Sequence, residues 1–109
     1  IVFRAERAKS LLTRLVAEFI KEHWIGKTRI TVTRVELSLD LRNAIIYVNV
    51  NPESEEKEAT KELAELKVKL YNKVTGKLEM KFTPRFEFRI DHGEKRRQKV
   101  EELISKLKK

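Results

Sequence analysis

The sequence contains no cysteine, and only 3 glycines and 2 prolines among 109 residues. The lack of cysteine excludes a disulfide framework and thiolate metal sites, and it fits a reducing compartment. No apolar run approaches the roughly 20 residues that a membrane span needs, and no signal peptide is visible. With 39% charged and 40% hydrophobic residues, the composition indicates a globular chain. The length predicts a single domain over residues 1–109.

The formal net charge of +8 is unevenly distributed along the chain. Residues 1–29 and residues 92–109 each carry a net charge of +4. The region between them balances 11 basic against 11 acidic residues, and its acids gather at Glu53–Glu58. This segregation predicts a polyanionic partner that contacts one side of the molecule, with the acidic end facing away from it.

Two neighbouring stretches are typical of an antiparallel β-hairpin. Arg29–Asp40 alternates apolar and polar residues, which suits a strand with one wet face. Asn43–Val50 is almost wholly apolar, which predicts a strand in the middle of a sheet. Asp40–Asn43 is expected to make the reversal, because Asp and Asn side chains bond to the local backbone.

The alternation changes phase within the first strand. Ile30 and Val32 have one parity, whereas the apolar residues from Val35 onward have the other. Since a shift of one residue flips every side chain, a β-bulge near Thr33-Arg34 would put both sets on the core face. The alternative is that Ile30 and Val32 lie on the open face.

Apolar residues at three- and four-residue steps predict a helix before the hairpin and two consecutive helices after it. The first helix is expected to stop at Gly26, with Trp24 as a lid on the core; the alternative for Trp24 is a stacking platform for a base. The second helix starts with a cap at Asn51 or at Ser54. Its apolar frame continues past Gly76, which is interpreted as a kink between the two helices. The frame consists of Ala59, Leu63, Leu66, Leu70, Val74, Leu78 and Phe82.

A third strand and a last helix complete the chain. Arg85–Asp91 alternates with Phe86, Phe88 and Ile90 inward. Asp91 with Glu94 matches a capping box for the last helix. Because crossovers between parallel strands are right-handed, the third strand should lie parallel to the second, in order 1-2-3. The predicted class is α+β, αββααβ with an extra C-terminal helix, and a three-stranded mixed sheet with helices mainly on one face.

Residues that could perform catalysis are scarce. His23 and His92 are far apart in sequence and have no neighbouring cysteine or paired carboxylate. No glycine-rich phosphate loop and no H-E-x-x-H motif is present. The prediction is therefore no catalytic residue, no metal site, no cofactor and no small-molecule substrate.

Surplus basic residues lie in three regions. Lysines on helices usually form a solvated face with Glu–Lys pairs. These groups contain too few acids for that explanation, so they are interpreted as phosphate contacts that recognise shape more than base sequence. The candidate RNA-binding residues are Arg4, Arg7 and Arg14; Lys69, Lys73, Lys77, Lys81 and Arg85; and Lys95, Arg96 and Arg97.

Two of these stretches resemble a known family. The run Val32–Ala44, followed by Tyr47-Val48, looks like the signature hairpin of ribosome-binding factor A. Lys81–Phe88 with Asp91 resembles that family's basic-x-x-Pro…Phe…Asp segment, and the order of elements agrees. The family has a type II KH-like fold in which an Ala-x-Gly kink replaces the Gly-x-x-Gly loop. The triplet assigned to that kink here is Val74-Thr75-Gly76.

The resemblance implies a non-enzymatic factor that binds the immature small ribosomal subunit and its 16S-type rRNA and assists late maturation. It implies a monomer in the cytoplasm, or alternatively in a mitochondrial or plastid matrix. A second hypothesis is a protein–protein module or structural subunit whose charges only give solubility. A third, a nuclease, would need one acidic or histidine residue on which activity depends.

Overall fold

A computed structural model describes residues 2–24, 28–78 and 82–107, with side chains from Ala5 onward. Four α-helices, one short 3-10 helix and three strands follow one another in the predicted order. The elements are α1 (Val2–His23), β1 (Arg29–Leu37), β2 (Asn43–Asn51), the 3-10 turn η1 (Glu53–Glu55), α2 (Glu56–Glu65), α3 (Lys67–Val74), β3 (Arg85–Ile90) and α4 (His92–Leu107).

The sheet has the predicted topology. Its order is β1-β2-β3, with β1 antiparallel and β3 parallel to the central β2. The side chains of Val48 and Val50 in β2 are buried, as expected for a central strand, and those of Phe86 and Phe88 in β3 are buried, as the alternation of that strand predicts. The α+β class with a mixed three-stranded sheet is therefore confirmed.

The predicted β-bulge is present in β1. The pairing register shifts between Val32, which faces Val48, and Arg34, which faces Tyr47. The extra residue, Thr33, lets Ile30 and Val32 before it and Val35 and Leu37 after it reach the core face. Leu39, the last apolar residue of the predicted strand, lies beyond the end of β1 and is fully exposed, so its predicted place on the core face is wrong. Ile30 and Val32 pack against the core, so the alternative that places them on the open face is wrong.

Helices α1, α2 and α3 cover one face of the sheet. Phe19 and Leu12 of α1 are fully buried, and so are Leu63 of α2 and Leu70 of α3. Each such side chain contributes roughly 1.5–3 kcal/mol by leaving water. Trp24 packs half-buried against this core, as a lid would, while Gly26 lies outside the described residues.

The two crossover helices join at Leu66 and not at Gly76. Leu66 lies between α2 and α3, and its N–H bonds back to the carbonyls of Glu62 and Leu63. Gly76 has φ +83 and sits in the turn after α3, and no helix follows it among the described residues up to Pro84. The interpretation of Gly76 as a kink between helices is wrong, and so is the kink assigned to Val74-Thr75-Gly76. The apolar spacing suggested a helix beyond Gly76 because it continues through the turn to buried Leu78.

The start of the first crossover helix also differs from the prediction. Neither Asn51 nor Ser54 caps it, because η1 precedes α2 and the residues before each make no side-chain cap bond. Phe82, the last residue of the apolar frame, is 58% exposed and lies outside the core.

Helix α4 follows β3 and contributes no described residue to the hydrophobic core. It has no buried residue. One side of it carries an exposed apolar stripe of Val100, Leu103, Ile104 and Leu107. None of the described helices is long and apolar enough to cross a membrane.

Candidate nucleic-acid interface

Asp91 fixes where the last helix begins. Its Oδ1 accepts the N–H of Glu94 at 3.0 Å, which caps α4, and its own N–H donates to the carbonyl of Val48. The Glu94 side chain turns to Arg97, so only half of the predicted capping box forms. Oδ2 of Asp91 accepts the hydroxyl of Thr33 at 2.6 Å. This hydrogen bond is the main cause that lowers the pKa of Asp91, which is 7% exposed.

Two of the predicted phosphate contacts, one in α3 and one just after it, are exposed. Lys69 on the helix and Lys77 in the turn after it are exposed, and neither makes an ion pair with a described carboxylate. Lys73 differs, since its Nζ lies 3.2 Å from Oε2 of Glu22 on α1 and its side chain is only 15% exposed. A lysine that contacts phosphate is expected to be exposed, and for Lys73 this expectation is wrong. Helix α1 packs against that turn of α3, so Lys73 joins two helices.

Lys95 links the last helix to the acidic cluster at Glu53–Glu58. Its Nζ lies 2.9 Å from Oε1 of Glu53 and 3.0 Å from Oε2 of Glu56. The hydrogen bond to Glu53 is the largest cause that raises the pKa of Lys95 above its ordinary value. The Lys95 side chain is 17% exposed. It contacts the acidic cluster that was expected to face away from RNA. The structure thus separates Lys95 from the exposed cations.

The other predicted positions are spread over the surface. Arg97 pairs with Glu94 and Glu101 on its own helix, whereas Arg96 is exposed and has no ion pair with the described residues. Arg7 and Arg14 are exposed and line one shallow cleft on α1, together with Glu6. The side chain of Arg4 and residue Lys81 lie outside the described part of the structure.

Arg85 lies in a cleft, and among the described residues that line this cleft it is the one that was predicted to bind RNA. Its N–H donates to the carbonyl of Arg42 at 2.8 Å, because the hairpin turn lies beside the start of β3. The Arg42 guanidinium lies 5.9 Å from the centre of the Phe82 ring. The cleft has a volume of about 510 Å³. Its lining residues are Arg42, Asn43, Tyr71, Phe82, Thr83 and Arg85.

Sequence reasoning missed Arg42, Tyr71 and Phe82. Phe82 fitted the helical apolar frame, and Tyr71 lies off that frame, on the side of α3 that is exposed. Tyr71 at 43% and Phe82 at 58% exposure are large rings that water reaches. An arginine in a hairpin turn, together with a tyrosine off the apolar stripe, was the available signal.

The His23 ring contacts its own helix, and His92 lies at the start of α4. The His23 ring stacks on Phe19 with 4.2 Å between ring centres, and its Nδ1 lies 3.0 Å from the carbonyl oxygen of Phe19. His92 is an exposed first residue of α4. Within the described ranges, no three His, Asp or Glu side chains are grouped as metal ligands.

The chain is similar over nearly its whole length to one family. The sequence profile described as Ribosome-binding factor A matches residues 4–104. The Ribosome-binding factor A of Thermodesulfovibrio yellowstonii is 36% identical over 109 residues, which cover 97% of this chain and 92% of that protein. The protein of the same name from Rickettsia bellii is 36% identical over 107 residues, covering 93% and 87%.

Solved structures agree with the sequence comparison. The solution NMR structure of the Thermotoga maritima protein TM0855 has a TM-score of 0.72 at 27% identity, covering 85% of this chain and 92% of that one. The crystal structure of ribosome-binding factor A from Thermus thermophilus has a TM-score of 0.68 at 27% identity, covering 79% and 93%. A homology model of Thermus thermophilus RbfA, fitted into the cryo-EM map of a 30S–RbfA complex, has a TM-score of 0.65 at 28% identity, covering 75% and 89%. The chain belongs to the ribosome-binding factor A family.

Proposed function

We propose that this protein binds the immature small ribosomal subunit through its rRNA and assists late maturation without performing catalysis. It acts as a single-domain monomer. The compartment is the cytoplasm of a bacterium, or alternatively a mitochondrial or plastid matrix. Membership of the ribosome-binding factor A family supports this function, as does the structural likeness to a relative fitted into a 30S–RbfA complex.

One observation in the structure carries the proposal. Around α3 and the start of β3, the exposed cations Lys69, Lys77 and Arg85 make no ion pair with any described carboxylate. Cations that lack acidic partners carry a cost of mutual repulsion, which a polyanion removes. They therefore form the first part of the interface, and Arg7, Arg14 and Arg96 extend it.

The mechanism follows from the chemistry of these groups. Lysine binds phosphate as a point charge, whereas arginine binds it through two parallel hydrogen bonds. Such contacts fix position on RNA and read little base sequence. Docking of a rigid three-stranded sheet with its helices holds one rRNA conformation, and release follows when maturation removes that conformation.

A second candidate function is a protein–protein module. The exposed apolar stripe on α4 favours it, because Leu103 and Leu107 are 60% and 85% exposed. Contacts through such a stripe depend weakly on salt, whereas contacts to rRNA phosphates depend on it strongly.

Sedimentation tests the proposed function. The protein should travel with free small subunits and not with complete ribosomes. Affinity for free small subunits should fall with salt, with a logarithmic slope of roughly 0.7–0.9 per neutralised phosphate. Sedimentation with complete ribosomes, or an affinity that does not change with salt, would contradict the proposal.

A further inference from the structure

The cleft between the hairpin turn, α3 and the start of β3 has the chemistry of a nucleotide site. We infer that it binds one unstacked nucleotide of single-stranded RNA, with the base on the Tyr71 and Phe82 rings and the phosphate on Arg42 and Arg85. This inference rests on the proposed function and adds to it a site that distinguishes single strands from duplex.

The charge of the cleft favours an anion. Arg42 and Arg85 are both exposed, and no aspartate or glutamate among the described residues lines the cleft. Neither arginine makes an ion pair with a described residue, whereas Arg34, Arg89 and Arg97 do. The Asp40 carboxylate near Arg42 accepts the Ser38 hydroxyl and the Arg42 backbone N–H. Two neighbouring guanidinium groups repel each other, and a phosphate between them would remove that repulsion.

The aromatic rings favour a base next to that phosphate. Tyr71 and Phe82 are large rings with 43% and 58% of their surface exposed, and both line the same cleft. Bases of single-stranded nucleic acids stack on exposed aromatic rings and on arginine planes, and every base offers a π-face. Arg42 lies 5.9 Å from the Phe82 ring centre, so one base can contact both side chains.

The backbone that carries these side chains is ordered by hydrogen bonds. The Arg85 N–H donates to the Arg42 carbonyl at 2.8 Å and fixes the distance between the backbones of the two arginines. The Thr83 and Thr75 hydroxyls lie 3.2 Å apart, which joins the segment before β3 to the end of α3. Pro84, which follows Thr83, is fully buried. A site held in this way binds with less ordering cost than a mobile loop.

The other clefts of the described structure have a different composition. The cleft between α4 and the end of β2 contains Lys95 but also Glu53, Glu56 and Glu101, which would repel phosphate. The cleft beside Trp24 is mainly apolar and has Lys21 as its one cation. Among these clefts of the described residues, unpaired guanidinium groups, exposed rings and no carboxylate occur together at Arg42–Arg85 alone.

Fluorescence anisotropy with a short end-labelled oligoadenylate tests the inference, with an RNA duplex of the same label as second probe. Tyr71→Leu keeps apolar volume and removes the aromatic ring, and it should weaken oligoadenylate binding by about tenfold. It should leave the salt slope unchanged. Arg42→Gln should weaken binding and also reduce the salt slope by about 0.7, the value for one phosphate of a single strand.

Two control variants are matched to these changes. Val68→Ala alters an exposed residue of the same helix, which is 70% exposed, and Arg29→Gln removes an exposed positive charge from the start of β1. Both controls should bind oligoadenylate within about twofold of the unchanged protein, as surface positions outside a binding site do. Thermal unfolding of all four variants checks that the fold is kept.

Each outcome decides the inference. Loss of oligoadenylate binding by Tyr71→Leu and Arg42→Gln, with duplex binding kept by Tyr71→Leu, supports it. Equal binding by Tyr71→Leu and Val68→Ala overturns it, as does a polyglutamate peptide that binds the cleft in place of RNA. Co-sedimentation with free small subunits is measured separately, so failure of the cleft with sedimentation intact overturns the cleft alone. Loss of sedimentation by the unchanged protein overturns the proposed function.

Discussion

The hydroxyl of Thr33 donates a hydrogen bond of 2.6 Å to Oδ2 of Asp91, 58 positions further along the chain. Thr33 is the extra residue of the β1 bulge, and Asp91 caps α4. The guanidinium of Arg34 approaches the same carboxylate at 3.5 Å. One buried carboxylate therefore joins the irregularity in the first strand to the start of the last helix.

Removal of this carboxylate should destabilise the fold. Asp91→Ala leaves the Thr33 hydroxyl and the Glu94 N–H without their acceptor, and we expect a loss of roughly 2–4 kcal/mol in the free energy of unfolding. Urea unfolding followed by circular dichroism measures it. Glu87→Ala, an exposed member of the Glu87–Arg89 pair, is the control and should change stability by less than about 1 kcal/mol. Equal losses from the two substitutions would contradict the role of Asp91.

The same carboxylate should give an acid-dependent part of the stability. Folding lowers the pKa of Asp91, mainly through the Thr33 hydroxyl. Its contribution is therefore fully present above the pKa of an unfolded aspartate, about 3.9, and is lost as the pH falls through the lower folded pKa. Unfolding free energies measured from neutral pH down to about pH 3 should fall less steeply for Asp91→Asn than for the unchanged protein. Parallel curves below about pH 4 would contradict this assignment.

Lys95 should act mainly as a link between α4 and the η1–α2 region. Lys95→Gln removes the pairs to Glu53 and Glu56 and should speed hydrogen exchange of amides in the first turns of α4. The free energy of unfolding should fall by less than it does for Asp91→Ala, because Glu53 is exposed and water screens its pair with Lys95. Arg96→Gln on the same helix is the control and should leave exchange unchanged. If Lys95→Gln reduces affinity for small subunits with no change in exchange, Lys95 is a phosphate contact instead.

Much of the sheet could be predicted because burial acts on a period of two. The change of parity between Val32 and Val35 indicated a bulge near Thr33-Arg34, since an extra residue keeps both on the core face. The pattern alone also allowed Ile30 and Val32 to lie on the open face. Parallel pairing of β3 with β2 followed from the handedness of crossovers. These features depend on local pattern and chain topology, both of which the sequence contains.

The break between the crossover helices could not be predicted from pattern alone. The helical stripe continues through Leu66 without a glycine or proline, so nothing in the sequence separates α2 from α3 there. Gly76 was interpreted as the kink between the two helices because glycine often interrupts helices. Tertiary packing of two short helices on β3 sets the junction instead.

The surplus of basic charge was visible in the sequence, but the ion pairs of individual lysines were not. Partners for Lys73 and Lys95 come from positions 51 and 39 residues away, respectively. Such pairs depend on how helices pack, which a charge count cannot show. The cleft of Arg42 and Phe82 needed the tertiary fold for the same reason, since it joins the hairpin turn to the start of β3.

Charge reversal on the exposed surface tests the central claim most directly. The double variant Lys69→Glu with Lys77→Glu changes two exposed lysines, and Glu58→Lys with Glu62→Lys changes two exposed acids on α2 by the same amount in the opposite direction. Affinity for free small subunits is measured by co-sedimentation over a range of salt concentrations. The lysine variant should lose well over tenfold in affinity and have a smaller salt slope, because about two phosphate contacts become repulsive. The acidic-side variant should bind equally well or slightly more tightly. Equal effects from the two variants would contradict the account that rRNA binds on the side of Lys69 and Lys77.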